Sequence, residues 1–166
     1  MPERDAPLLS IRDLRITFRT RTESVRAVDG VSFDVYRGET LGVVGESGCG
    51  KSVTMLSVLR LIPPSTRVET SGQILFDGKN LLQASKREIR HIRGRRIALI
   101  PQDPMTCLDP VLKVGRQIRE ALEAHGKLDA AEVERRGVAL LETVGIPEAR
   151  RRYDQFPHEY SGGMRQ

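Results

Sequence analysis

A glycine-rich octet, Gly45-Glu46-Ser47-Gly48-Cys49-Gly50-Lys51-Ser52, lies between an apolar run, Leu41-Gly42-Val43-Val44, and a segment of helical texture from Val53 to Arg60. The run reads as a buried strand and the following segment as a helix, which together give the strand, loop and helix order of a P-loop. Glycines let Gly45, Glu46, Ser47, Gly48, Cys49 and Gly50 turn successive backbone N–H groups inward around a polyphosphate. The helix behind them starts with unpaired N–H groups and a partial positive charge aimed at the same anion. Lys51 adds a full charge near the β- and γ-phosphates, and the Ser52 hydroxyl is placed to ligate Mg²⁺. The competing reading is a glycine-rich turn that merely precedes a helix. Four fixed positions in the right strand and helix context weigh against it.

Composition bounds the rest. A chain of 166 residues with 39% apolar content is sized for one ordinary domain. Aromatics make up only 4%, with no tryptophan, so the core must rest on Leu, Val and Ile, which suits buried strands and helices better than a β-sandwich. Cys49 and Cys107 have neither metal-ligand spacing nor disulfide logic and read as free thiols in a reducing compartment. A net charge of +5 invites a polyanionic partner. The clusters Arg93, Arg95, Arg96 and Arg150, Arg151, Arg152 lack interleaved aromatics, however, and read as solvated faces, so no nucleic acid is expected. The leader Met1 to Asp5 has no apolar signal core and no run of about eighteen apolar residues occurs, which predicts a cytoplasmic chain that reaches a membrane only through a partner.

Along the chain, Leu14, Ile16 and Phe18 alternate with polar residues at the period of a half-buried strand. Arg19 to Ser24 reads as a turn. Ala27 to Val35 reads as a second strand region interrupted at Asp29-Gly30. The helix after Lys51 is expected to end before Pro63-Pro64. Ser71 to Phe76 reads as a strand closed by the turn signal Asp77-Gly78. Ser85-Lys86-Arg87-Glu88 has the form of a capping box that opens a basic helix to about Arg93. Arg95 to Ile100 reads as a short apolar strand stopped by Pro101, and a loop at the carboxyl end of such a buried strand is where α/β sheets place ligand contacts. Beyond it the texture is helical. Val114, Ile118, Ala121 and Leu122 share one face of a helix closed by Gly126. Asp129 caps another, on which Val133, Leu140, Leu141 and Val144 fall on one side before Gly145 and Pro147.

Two later elements narrow the nucleotide reading. Ser161-Gly162-Gly163-Met164-Arg165-Gln166 resembles the signature motif of ATP-binding-cassette (ABC) proteins, and Gln102 resembles the glutamine of that family's Q-loop. P-loop, Q-loop and signature occur in the family's order across nearly the whole chain. The segments Val28 to Phe33, Gly38 to Gly48, Pro101 to Pro110 and Pro157 to Gln166 are similar to the ATP-binding subunits of the oligopeptide, dipeptide and nickel importer group. In that group Met commonly follows the two signature glycines, as Met164 does here. Tyr160 stands where many cassettes carry Leu.

The resemblance implies an α/β P-loop NTPase fold of the ABC type. It divides the chain into residues 1–101, a nucleotide-binding core with an N-terminal antiparallel β part, and residues 102–166, the Q-loop and helical subdomain. It implies ATP and Mg²⁺ as bound groups. Lys51 and Gln102 take catalytic roles, Ser52 and Gln102 face the metal, and Ser161, Gly162 and Gly163 form a second anion site that closes on ATP held by an opposite subunit. Phe18 falls about where cassettes stack an aromatic on adenine; an ordinary strand core residue is the other reading. His158 is not the family's switch histidine and reads as structural. The implied partners are a second ABC subunit, identical or related, integral membrane permease subunits and, indirectly, a substrate-binding protein. The implied location is the cytoplasmic face of the inner membrane. The family's Asp-ended strand, catalytic Glu, D-loop and switch His do not occur before Gln166, so these residues are expected to form an incomplete cassette with poor hydrolysis and open apolar surface. The competing classes are a soluble ABC protein acting on nucleic acid or ribosomes and a remnant without function.

Overall fold

The structure, a computed structural model, describes residues 6–20, 22–62, 67–103, 107–126 and 128–166. The leader, Arg21 in the expected first turn, the Pro63-Pro64 stop and Pro104-Met105-Thr106 of the Q-loop segment lie outside the described residues. The chain falls into two compact units, residues 1–97 and 98–166.

The first unit is built on β1 (Leu9–Arg19), which pairs antiparallel with β2 (Ser24–Val35) on one edge and β3 (Arg67–Phe76) on the other. A two-residue β4 (Lys79–Asn80) completes the order β2-β1-β3-β4. Alternation decides the buried face: Ile11, Leu14 and Ile16 are fully buried, and Ile16 lies opposite Val28 and Thr70. The register slips between Ile11 and Leu14 on one edge and between Arg12 and Arg15 on the other, so β1 carries an irregularity at Arg12-Asp13 that keeps Leu14 on the inner face. Asp77 and Gly78 both take positive φ, the hairpin geometry their sequence predicts. Asp77 also accepts from Arg37 at 2.8 Å and from Arg96, which ties the turn before the P-loop to this hairpin.

Helix α1 (Lys51–Val58) lays Thr54, Ser57 and Val58 inward, and Val58 joins the cluster of Ile11, Leu14, Ile16, Val28 and Ile74. α2 (Lys86–Ile92) starts with the expected capping box: the Ser85 hydroxyl accepts from Glu88 N, and the Glu88 carboxylate accepts from Ser85 N at 2.7 Å. Glu88 also accepts from the Lys79 ammonium. That bond, followed by those to Ser85, holds its carboxyl down at a pKa of about 2.

The second unit packs α3 (Val114–Glu123), α4 (Ala130–Thr143), α5 (Ala149–Tyr153) and α6 (Gly162–Arg165) around Val114, Leu141, Ala149, Tyr153 and Tyr160. Asp129 caps α4 by accepting from Glu132 N at 2.8 Å. The Tyr153 ring fills the space that side chains at Gly115 and Gly137 would need, so α3 and α4 meet over one aromatic plate.

Two expectations are corrected, one on strands and one on the buried face of α4. Leu41 to Val44 and Ala98 to Ile100 belong to no strand, and Val44 and Ile100 are 95% and 88% exposed. A parallel strand is buried only when neighbours cover both its faces, and no described strand pairs with either segment. α1 does end before Pro63-Pro64 as expected, at Val58, and the chain turns left-handed at Arg60. On α4 the buried residues are Val133, Gly137 and Leu141, while Leu140 and Val144 are 49% and 72% exposed. Helical spacing places them near Val133, but burial also needs an element packed over them, and in the second unit α4 contacts chiefly α3 and α5.

Candidate functional site

The octet forms an exposed loop ending on the first turn of α1. Gly50 is the N-cap at φ +92, and a Cβ there would run into the carbonyl oxygen of Ala27 on β2. Only glycine permits both that backbone angle and that approach. No side chain caps α1 and no acid stands in its first turn. The backbone N–H groups of Lys51, Ser52 and Val53 therefore start the helix with no carboxylate competing for them, while Thr54 N donates to Gly50 O at 2.9 Å.

Lys51 curls back over the loop. Its ammonium donates to Gly45 O and Glu46 O at 2.7 Å each and lies 3.4 Å from Cys49 Sγ. The loop thus has its single full positive charge at its centre, ringed by Gly45, Glu46 and Cys49. Ser52 is exposed beside it. This donor set fits a polyphosphate with a divalent cation: backbone N–H groups and one ammonium for the phosphate oxygens, and a hydroxyl for the metal. Cys49 is a free, exposed thiol, as is Cys107.

Phe18, near the end of β1, is half-buried and packs against the core of the sheet, opposite Val25 and Val68. The other sequence-derived residues lie in the second unit. Gln102 is exposed in the turn after Ile100. The segment beyond it is pinned by Gln117, whose amide nitrogen donates to Asp109 O and Leu112 O at 3.0 Å each and whose amide oxygen accepts from Asp109 N at 2.9 Å.

Ser161 is the N-cap of α6, its hydroxyl accepting from Met164 N at 3.4 Å, with Gly162 and Gly163 exposed in the first turn. Tyr160 anchors this turn: it is buried, donates from its hydroxyl to Arg152 O at 2.8 Å and lies under the Arg152 guanidinium. Burial pushes its phenol above the usual value, against the opposing Arg152 charge. The larger residue at a position where many cassettes carry Leu is thus used for packing. His158 is exposed and stacks on Phe156 with ring centroids 5.6 Å apart. Among the described residues no helix is long and apolar enough to cross a membrane.

Residues 28–166 match the family described as ABC transporter. Relatives include a probable peptide ABC transporter ATP-binding protein of Sinorhizobium fredii, 52% identical over 96% of this chain and 48% of its own length. An oligopeptide transport ATP-binding protein, OppD, of Bacillus subtilis is 50% identical over 96% of this chain and 44% of its own. The dipeptide transport protein DppD of the same organism is 49% identical over 96% and 48%. The chain spans about half the length of these relatives. Among solved structures, the dimeric bacterial ABC transporter cassette MJ0796 superposes with a TM-score of 0.74 at 22% identity, over 95% of this chain and 65% of that one, which establishes the same partial α/β cassette fold. By the family match and these identities, the chain belongs to the ABC transporter family.

Proposed function

We propose that this chain is an ATP-binding subunit of a peptide-type importer, binding the phosphates of MgATP on Gly45 to Ser52 and working beside a second ABC subunit and membrane permease subunits. The observation that carries the proposal is the P-loop itself. A left-handed Gly50 opens a helix start free of acids, and a lysine is folded over the loop it would share with the phosphates. The relatives described above are transport ATP-binding proteins, which supports this reading over one in which the chain acts on nucleic acid.

Within this proposal Lys51 holds the phosphate oxygens, Ser52 and Gln102 face the metal, and Ser161, Gly162 and Gly163 offer a helix start to a nucleotide held by a partner subunit. Phe18 is proposed to lend its exposed part to adenine while its buried part stays in the sheet core. Residues 1–101 form the nucleotide-binding part and 102–166 the helical part. Mg²⁺, when bound, neutralises charge between phosphate oxygens and orients them. The property proposed for residues 1–166 is the binding of MgATP. The proposed location is the cytoplasmic face of the inner membrane, reached through the permease.

Titration with a fluorescent ATP analogue and Mg²⁺ tests the core of this reading. Lys51→Ala removes the only ammonium in the loop and is expected to weaken binding by about tenfold or more, the worth of a charge-assisted hydrogen bond at about 1.5–3 kcal/mol. Equal binding by the parent and Lys51→Ala chains would overturn it.

A further inference from the structure

The phosphate cradle is one end of α1, and the other end is held in an unusual way. With eight residues α1 is about 12 Å long, so its amino-terminal N–H groups move with any tilt of its carboxyl end. That end closes as a Schellman turn: Arg60 N donates to Ser57 O at 3.0 Å and Leu61 N to Leu56 O at 2.9 Å. The left-handed position of this turn ordinarily belongs to glycine, but here it is Arg60, at φ +51.

Two arginines hold it there. The Arg93 guanidinium donates from Nε to Leu59 O at 2.8 Å and from Nη2 to Arg60 O at 2.7 Å, taking both carbonyls next to the turn. Arg60 in turn donates from Nη1 to the carbonyl of Ala84, just before the cap of α2. Arg93 is the C-cap of α2, and its own N–H bonds back to Ile89 O at 2.9 Å. Both ends of α2 thus grip the carboxyl end of α1. The Arg93 grip brings a cation to the negative pole of the helix whose positive pole faces the cradle.

We propose that Arg93 is a positioning residue for the phosphate site, setting the angle of α1 and so the aim of its first N–H groups. The inference rests on the reading of Gly45 to Ser52 as a phosphate cradle. Arg93 touches none of the cradle residues in its hydrogen bonds and acts through α1. A planar fork reaches two neighbouring carbonyls at once, and an ammonium is a single point charge that does not reproduce that geometry.

The test compares four chains of residues 1–166: the parent, Arg93→Ala, Arg93→Lys and the double variant Arg60→Gly with Arg93→Ala. Each is titrated with a fluorescent ATP analogue and Mg²⁺, melted, and examined by amide hydrogen exchange across residues 51–58. Arg93→Ala is expected to bind about tenfold more weakly, about 1.4 kcal/mol, and to exchange faster across α1, with no recovery in Arg93→Lys. In the double variant glycine relieves the left-handed turn and returns thermal stability without restoring the tether. The melting temperature is therefore expected to recover while the affinity does not.

Affinity that recovers together with the melting temperature shows a merely structural role and overturns the proposal, as does binding by Arg93→Ala within about twofold of the parent. A parent chain that binds no better than Lys51→Ala defeats the cradle reading instead, and the positioning role falls with it.

Discussion

β1 and the segment Leu41 to Val44 carry similar apolar signals and meet opposite fates. β1 has a partner on each edge, and its Ile11, Leu14 and Ile16 are sealed. Leu41, Val43 and Val44 are exposed, although they lead into the loop on which the proposed function depends. The antiparallel partner β2 follows β1 after a short turn, and β3, although it comes only after α1, pairs with the other edge, so β1 is flanked on both sides within its own unit. Parallel pairing needs crossover connections and neighbours on both faces, and no such neighbour is described for Leu41 to Val44. An apolar run therefore states what a segment can bury, and the adjoining elements decide whether it does.

The sharpest way to break this comparison is to truncate one side chain in each region. Ile16→Ala is expected to cost about 2–5 kcal/mol in urea unfolding, because it opens a cavity in a sealed core. Val44→Ala should stay within about 0.5 kcal/mol, as exposed substitutions do. Equal losses would mean that Val44 is buried in solution and would erase the contrast.

The second unit offers a smaller effect of opposite sign in volume. Gly137→Ala adds a methyl group where the Tyr153 ring already lies and should destabilise by about 1–3 kcal/mol. A neutral result in thermal melting would show that α3 and α4 are not keyed by that ring.

Weaker still is Asp77→Ala, which removes the shared acceptor of Arg37 and Arg96 from an exposed surface. Each such pair is worth about 0–1 kcal/mol. The loss should shrink in high salt, which separates it from the two packing effects.

The smallest expected change is a pH effect confined to α2. Glu88 has a folded pKa of about 2 against an ordinary 4.5, so its contribution is complete above the ordinary value. It fades as pH falls from about 4.5 towards 2, when the protonated carboxyl no longer serves Lys79 and Ser85. Amide exchange at Glu88 should accelerate across that window, and Glu88→Gln should flatten the profile.

The features legible in the sequence share one property: their cause is local. The Ser85-Glu88 box, the Asp129 cap, the Asp77-Gly78 turn and the Gly50 helix start each depend on residues within a few positions, and each occurs as expected. The glycine loop running into the start of α1 is legible for the same reason. What stayed hidden depends on distant partners. Nothing near Arg60 announces that a guanidinium more than thirty residues on will stabilise its left-handed turn. Gly137 reads as a weak point in a helix until Tyr153 is placed against it. Leu140 and Val144 have the spacing of core residues and lack a covering element. Gln117 is one position of α3, and its amide reaches back to organise Asp109 to Leu112.

The posture of Lys51 has a consequence for selectivity. Its ammonium already has two carbonyl acceptors at 2.7 Å, so an incoming anion must displace them instead of meeting a bare charge. One weak, well-hydrated anion such as chloride gains little from that exchange. A chain of linked phosphates brings several oxygens at once and can engage the helix start while it takes over the ammonium. On the proposed function, the loop's own carbonyls thus act as an internal competitor, setting a threshold that favours ligands by how many anionic oxygens arrive together.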